Sequence, residues 1–330
     1  MIGTGQVPAG ASAEAQIARA LLRTLAPGGR RGRLSAFIFH RVLPASDPIL
    51  PGEPDAARFE RIIDFIARAF NLLSLRDAVR RLADQTLPPA AATITFDDGY
   101  LDNFTVAAPI LKRYKAPATI FIATAFLNGG RMWNDDIIEA VRIAPGPTLD
   151  WSRYGLGIYD IQSGAARVQC YSDVLARLKY VEHAERARRA RQIATDAGVP
   201  ETSALMMNTE HVRALRMDGI EIGAHTHTHP ILNALDDDAA SREIAEGKAR
   251  LEALLGENVD LFAYPNGIPG KDFSPRHVDM VRSAGFTAAV TTARGAAAKS
   301  CSPWLLPRFT PWDRSMWKFA LRCVENLRHG

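Results

Sequence analysis

The chain has 330 residues, 47% of them hydrophobic, enough to bury one large core or two smaller ones. Its 40 basic and 36 acidic residues leave a net charge of +4, a mild excess spread along the sequence that demands no nucleic-acid partner. Cys170, Cys301 and Cys323 are odd in number without C-x-x-C spacing, which argues against a disulfide framework or a thiolate metal site. No apolar stretch approaches the roughly 20 residues of a transmembrane segment, and the first residues lack a signal-peptide pattern, so a cytoplasmic location is expected.

Residues 1–30, rich in Ala and Gly, read as an N-terminal extension holding a short helix with frayed ends. The apolar run 34–39 reads as a buried strand and hands over to His40. Helical spacing follows at 59–66, then a strand at 93–96 that ends on Asp97-Asp98-Gly99. A helix is expected at 106–114 and a strand at 118–123. The interval from about 124 to 219 is far too long for an ordinary connection and is expected to hold an inserted subdomain. It contains Trp133-Asn134-Asp135-Asp136, a Gly/Pro-rich patch and a long helical stretch from about 165 to 197. Within that stretch Arg186, Arg188, Arg189 and Arg191 read as a solvated helix face. Beyond it come strands at 220–224, 259–264, 287–291 and 304–309, with helices at 240–255 and 277–284 that stop at Gly256 and Gly285. Strands alternating with helices mean parallel βα units, and seven of them suggest an α/β barrel, closed or nearly so. The 31–330 stretch is then one barrel domain.

Strand ends are where such folds do chemistry. Asp-Asp-Gly alone is a common turn, but here the pair ends a strand. The strand at 220–224 runs into His225-Thr226-His227-Thr228-His229-Pro230, and burying several imidazoles in a row needs a partner for every nitrogen. One carboxylate and two imidazoles make a three-ligand hydrolytic metal site, with the second carboxylate free as a base. His225 and His229, four apart, are the better-placed pair; His227 between them would point away. His40 belongs to the same rim, and Pro265-Asn266-Gly267 ends another strand in a tight turn able to aim a backbone N–H at an oxyanion. Trp133, Tyr264, Trp304 and Trp312 are candidate sugar platforms, with Trp133 and Tyr264 nearest the rim. Neither a phosphate-binding glycine loop nor a dinucleotide fingerprint is present.

With these residues assembled, the chain resembles the polysaccharide deacetylase superfamily, the carbohydrate esterase group built on the NodB homology domain. Thr95-Phe96-Asp97-Asp98-Gly99-Tyr100 is similar to its first motif and His225-Thr226-x-x-His229-Pro230 to its second. The resemblance implies a distorted (β/α)7 barrel with a large insertion after the third predicted strand. It also implies a divalent metal, Zn most readily with Co or Ni as alternatives, bound by Asp98, His225 and His229, with Asp97 as general base. The family's third motif usually supplies an Arg to orient the base; here Ala263-Tyr264-Pro265-Asn266-Gly267 lacks it, though Asn266 can keep the backbone role. Arg308, at the end of the last predicted strand, is placed to reach the same carboxylate and joins Trp133 and Tyr264 among residues bordering the substrate. The usual C-terminal His motif is absent, and Phe39-His40 is similar to the N-terminal element of a subgroup with permuted motifs, which implies His40 as general acid. The implied activity is removal of acetyl groups, N-acetyl before O-acetyl, from a carbohydrate of exopolysaccharide or envelope metabolism. Hydrolysis of a small cyclic amide or imide on the same fold, and a non-catalytic carbohydrate-binding protein, are the alternatives. An open groove would favour a polymer and a capped pocket a small molecule.

Overall fold

The computed structural model describes residues 13–201, 204–311 and 313–328. Trp312 and the first twelve residues of the N-terminal extension lie outside them. In chain order the elements are α1 (Ala13–Leu25), β1 (Leu34–Phe39), α2 (Ala56–Ala69), β2 (Asn71–Leu72), α3 (Leu75–Ala83), β3 (Ala91–Phe96), α4 (Ala108–Arg113) and β4 (Ala118–Ile122). There follow α5 (Trp133–Ile143), the hairpin β5 (Thr148–Asp150) and β6 (Ile158–Asp160), α6 (Gly164–Leu178), α7 (His183–Asp196) and α8 (Thr209–Met217). The chain then runs through β7 (Glu221–Ala224), α9 (Asp237–Leu255), β8 (Leu261–Ala263), α10 (Pro275–Ser283), β9 (Ala288–Val290) and α11 (Met316–Asn326).

The main sheet is parallel throughout and ordered β1-β3-β4-β7-β8-β9, with β2 pairing the first residues of β3. It curls into a half-barrel with helices outside. Every residue of β1, β3 and β4 is buried, which is why they read as continuous apolar runs: a strand covered on both faces has no solvent side to make polar. Helices of the βα units show the complementary pattern, as in α2, which buries Phe59, Ile62, Ile63 and Ile66 and is capped by the Asp55 carboxylate accepting from the Arg58 N–H at 2.7 Å. From α1, Ala15, Ala18 and Leu22 pack into the same core.

The segment 304–309 is not the strand expected. It makes single bridges, Leu306 to Val290 of β9 and Phe309 to Phe37 of β1. Pro307 between them has no N–H to give a ladder, so pairing is interrupted. The two bridges nevertheless link the sheet's outer strands, and they bracket Arg308. The seventh strand is instead the two-residue β2, which no apolar run announces.

Between β4 and β7 the chain builds a second apolar core from α5, the hairpin, α6 and α7, including Ile137, Val141, Trp151, Val174 and Ile193. The long helical stretch expected at about 165–197 is two helices. Glu182 separates them, its carboxylate accepting from the N–H groups of Ala184 and Glu185 at the start of α7. Glu is an unusual cap, so the break had no strong sequence signal. Among the described residues no helix is long and apolar enough to cross a membrane.

Candidate active site

The C-terminal ends of β1, β3, β7 and β8 bring His40, Asp97-Asp98, the 225–229 loop and Asn266 to one rim of the half-barrel. Four residues there take left-handed backbone conformations that side chains disfavour: Asp98 (φ 77°), Thr226 (φ 63°), His229 (φ 57°) and Asn266 (φ 60°). Such geometry costs about 1–3 kcal/mol per residue and persists only where surroundings over-determine it. For Thr226, a β-branched residue, the surroundings are visible. Its hydroxyl donates to the His225 carbonyl at 2.6 Å and accepts from the His229 N–H at 3.1 Å. From α9, the Glu243 carboxylate accepts from the N–H groups of His227 and Thr228 at 3.0 and 2.7 Å.

Asp98, His225 and His229 converge. Their Nε2 and Oδ1 atoms stand 3.5 Å apart for His225–Asp98, 3.4 Å for His229–Asp98 and 3.2 Å for the two rings. His225 Nδ1–H donates to the Ala263 carbonyl at 2.7 Å, which turns the Nε2 lone pair toward the cluster. Burial pushes His229 down to about 3, so its ring is neutral. Asp98 Oδ1 is buried and accepts no hydrogen bond. Two imidazole nitrogens and a carboxylate oxygen without a close hydrogen-bond donor converge in one buried spot, and this N₂O set fits a divalent metal ion. His227 faces elsewhere: its Nδ1 pairs with the Thr124 hydroxyl at 2.9 Å and its Nε2 lies 3.5 Å from Glu246.

Asp97 takes a different partner. Arg308 grips it with two parallel N–H···O bonds of 2.7 Å, and two of its other three donors go to the Thr291 carbonyl and the Thr95 hydroxyl. Both residues are buried. Burial alone would raise the Asp97 carboxyl, but the Arg308 guanidinium outweighs it and holds Asp97 below the usual carboxylate range. Each carboxylate oxygen keeps a second lone pair for a proton.

His40 is exposed at the rim, its loop anchored by Asn103, whose side-chain amide donates to the His40 carbonyl at 2.8 Å. Asn103 opens a single π-helical turn, a feature concentrated at functional sites. Among the described residues the Asn266 N–H has no acceptor, and its carbonyl accepts from the Thr292 hydroxyl at 2.8 Å. Two cavities, of about 560 and 300 Å³, meet at this centre and share His40, Asp98, Asn134 and Asn266.

Among the expected substrate contacts, Tyr264 needs correction and Arg308 gains a second role. Tyr264 is not a platform: it is 0% exposed and stacked on Phe273 at 3.8 Å, facing the core beneath the turn. Arg308 is 1% exposed with its guanidinium gripping Asp97, so its main role is to support the base, although it also contributes to the wall of the larger cavity. Trp304 lies away from the rim, its ring N–H on the Phe286 carbonyl. Trp133 does reach the smaller cavity, where Arg186 packs 4.8 Å over its ring. Arg186 itself was misread as solvated, since it is 3% exposed. The sequence reading also missed Glu53 and Lys179 as cavity-lining groups; only the three-dimensional return of the 124–219 segment puts Lys179 there.

A family model described as polysaccharide deacetylase matches residues 84–144 and 184–289. Over 277 residues the chain is 20% identical to YxkH of Bacillus subtilis (strain 168), which carries a polysaccharide deacetylase name; the match covers 84% of this chain and 70% of that one. Among solved structures it is similar to the Streptococcus pyogenes deacetylase PplD in complex with acetate, with TM-score 0.59, 18% identity, and coverage of 88% of this chain and 98% of that one. It is also similar to IcaB from Ammonifex degensii, with TM-score 0.55, 19% identity, and coverage of 90% and 97%.

Proposed function

The chain belongs to the polysaccharide deacetylase family, and from that premise we propose that it hydrolyses acetyl groups, N-acetyl in preference to O-acetyl, from an acetylated carbohydrate polymer. The observation that carries this reading is the division of the adjacent carboxylates: Asp98 is left bare beside His225 and His229, while Asp97 is fixed by Arg308.

Asp98, His225 and His229 would hold a divalent ion, Zn²⁺ by the borderline donor set or Co²⁺ or Ni²⁺ in its place. Such an ion supplies Lewis acidity, which acidifies water and polarises a carbonyl. Asp97 accepts the proton of the attacking water, and Arg308 keeps it ionised and aimed. The free Asn266 N–H donates to the oxygen that gains charge as the acetyl carbon becomes tetrahedral. His40, at the mouth of both cavities, gives a proton to the departing amine, so acetate and a free amino sugar leave. Trp133 offers an aromatic edge to the sugar on the insertion side.

Two cavities flanking the reacting centre favour an extended substrate over a small cyclic amide. The test is acetate release from N-acetylglucosamine oligomers and from acetylated polysaccharide, using protein reconstituted with Zn²⁺ or Co²⁺ and Asp97→Asn as control. Metal-dependent release that the control abolishes is expected. Bound metal with no release from any of these substrates would overturn the proposal.

A further inference from the structure

The smaller cavity has a charge pattern that acetyl-group hydrolysis does not need. It lies between the barrel rim and the inserted helices, lined among others by Trp133, Lys179, Arg186, His229 and Asn266. On α7 the neighbouring arginines are paired: Arg188 and Arg189 share Glu185 at 2.8 and 2.6 Å, and Arg191 reaches Asp136 at 3.3 Å. Arg186 is different. It is the buried one, yet among the described residues no carboxylate stands within ion-pair distance of it, and its Nε–H has no acceptor. Its other nitrogens rest on the Lys179 carbonyl at 2.5 Å and on His183 Nδ1 at 3.1 Å, and its face covers the Trp133 ring. Lys179 also lacks a carboxylate among the described residues, its ammonium meeting the Tyr180 ring at 5.7 Å. The lining contains one acid, Asp98, which belongs to the metal set.

A buried guanidinium without a counter-ion is costly to fold around, and in this place the cost has a use if the counter-ion arrives with the substrate. Accordingly, we propose that the smaller cavity is a subsite for an anionic group, a carboxylate or phosphate, borne by the sugar next to the acetylated one. The substrate is then an acidic glycan, an assignment that rests on the deacetylase reading. Adjacency follows from the lining: the cavity that holds Lys179 and Arg186 also holds His40, Asp98 and Asn266 of the reacting centre.

Binding and turnover test it separately. Calorimetry with the full chain and unacetylated oligoglucuronate, or a phosphorylated amino-sugar oligomer, reads the subsite without any acetyl chemistry and tells carboxylate from phosphate. Binding is expected to weaken about tenfold in Lys179→Gln and to fall with added salt. Arg186→Gln should act in the same direction, and Lys179→Gln, on a partly exposed side chain, keeps the test valid if the arginine variant does not fold. No binding of either oligomer, or binding that Lys179→Gln leaves unchanged, overturns the proposal. In turnover, kcat/KM for oligomers alternating N-acetylglucosamine with glucuronate, or for the phosphorylated acetylated oligomer, is expected to exceed that for neutral oligomers at least tenfold, with the ratio collapsing in Lys179→Gln. Equal values for neutral and acidic oligomers would overturn it as well. Anion binding that depends on Lys179, without acetate release from any substrate, would uphold the subsite and reject the deacetylase reading instead.

Discussion

Arg308 and Asp97 are 211 positions apart in the chain and form a buried bidentate ion pair. Removing one member strands the other's charge, so Arg308→Met is expected to cost about 3–5 kcal/mol of stability in urea unfolding. The sign with pH follows from the depressed Asp97 carboxyl. Its contribution to stability is present above the ordinary carboxylate range and lost as pH falls through the lower folded-state value, so the deficit of Arg308→Met against the wild type should be largest near neutral pH and shrink in acid. Arg308→Lys keeps the charge but not the two-pronged grip, and should fold while turning over more slowly. Asp97 and His225 separate chemistry from metal holding. Asp97→Asn is expected to retain metal, by elemental analysis, and lose roughly 10²–10⁴ in kcat, whereas His225→Ala should lose the metal itself. Equal metal loss in both would sink that division of roles. The Asp and His motifs were legible because each is contiguous and sits at the end of an apolar run. Arg186 shows the opposite case: four arginines in a helical pattern gave no sign that one faces inward, because that depends on a helix break set by Glu182.

The element that shapes the His loop is α9. Gly247 lies mid-helix directly on the Thr226 backbone: a Cβ there would sit 2.6 Å from the Thr226 carbonyl carbon and 2.7 Å from its oxygen. Gly to Ala in a helix interior normally gains about 1 kcal/mol. Here Gly247→Ala must push the helix or the loop away, and displacing the loop moves both His225 and His229. Weaker metal affinity in a titration, with kcat/KM falling in parallel, is the expected outcome; unchanged affinity would mean that the loop holds its shape without this contact. The helix itself was readable from its spacing and its Gly256 stop, but its closeness to the loop was not, because a glycine in a helix carries no mark of what it touches. The strands divide similarly. Fully buried central strands announced themselves, whereas Asn71–Leu72 was too short to show a pattern and Pro307 broke the ladder expected at 304–309.

At the scale of the molecule, the insertion we propose for residues 124–219 is tied to the barrel beneath the active-site rim. Asp135 of α5 accepts from the Tyr100 hydroxyl, which is 3.2 Å from both carboxylate oxygens. Burial, with the Asp98 charge adding to it, pushes Asp135 up to about 7 from an ordinary 3.8. Between those values the folded chain keeps a proton that the unfolded chain has released. Stability from this group is therefore complete below about pH 4 and is lost as pH rises toward 7. At about 1.4 kcal/mol per unit the loss is on the order of 4 kcal/mol. Burial raises Glu53 and Asp102 too, so the wild-type slope is a sum and the comparison with Asp135→Asn isolates one contributor. The variant should gain on the wild type as pH rises from 5 to 8 in urea unfolding. A constant difference between the two across that range would mean that Asp135 is ionised in the fold, with Arg41 as its counter-charge, and that the insertion is joined to the barrel by an ion pair in place of a protonated carboxyl.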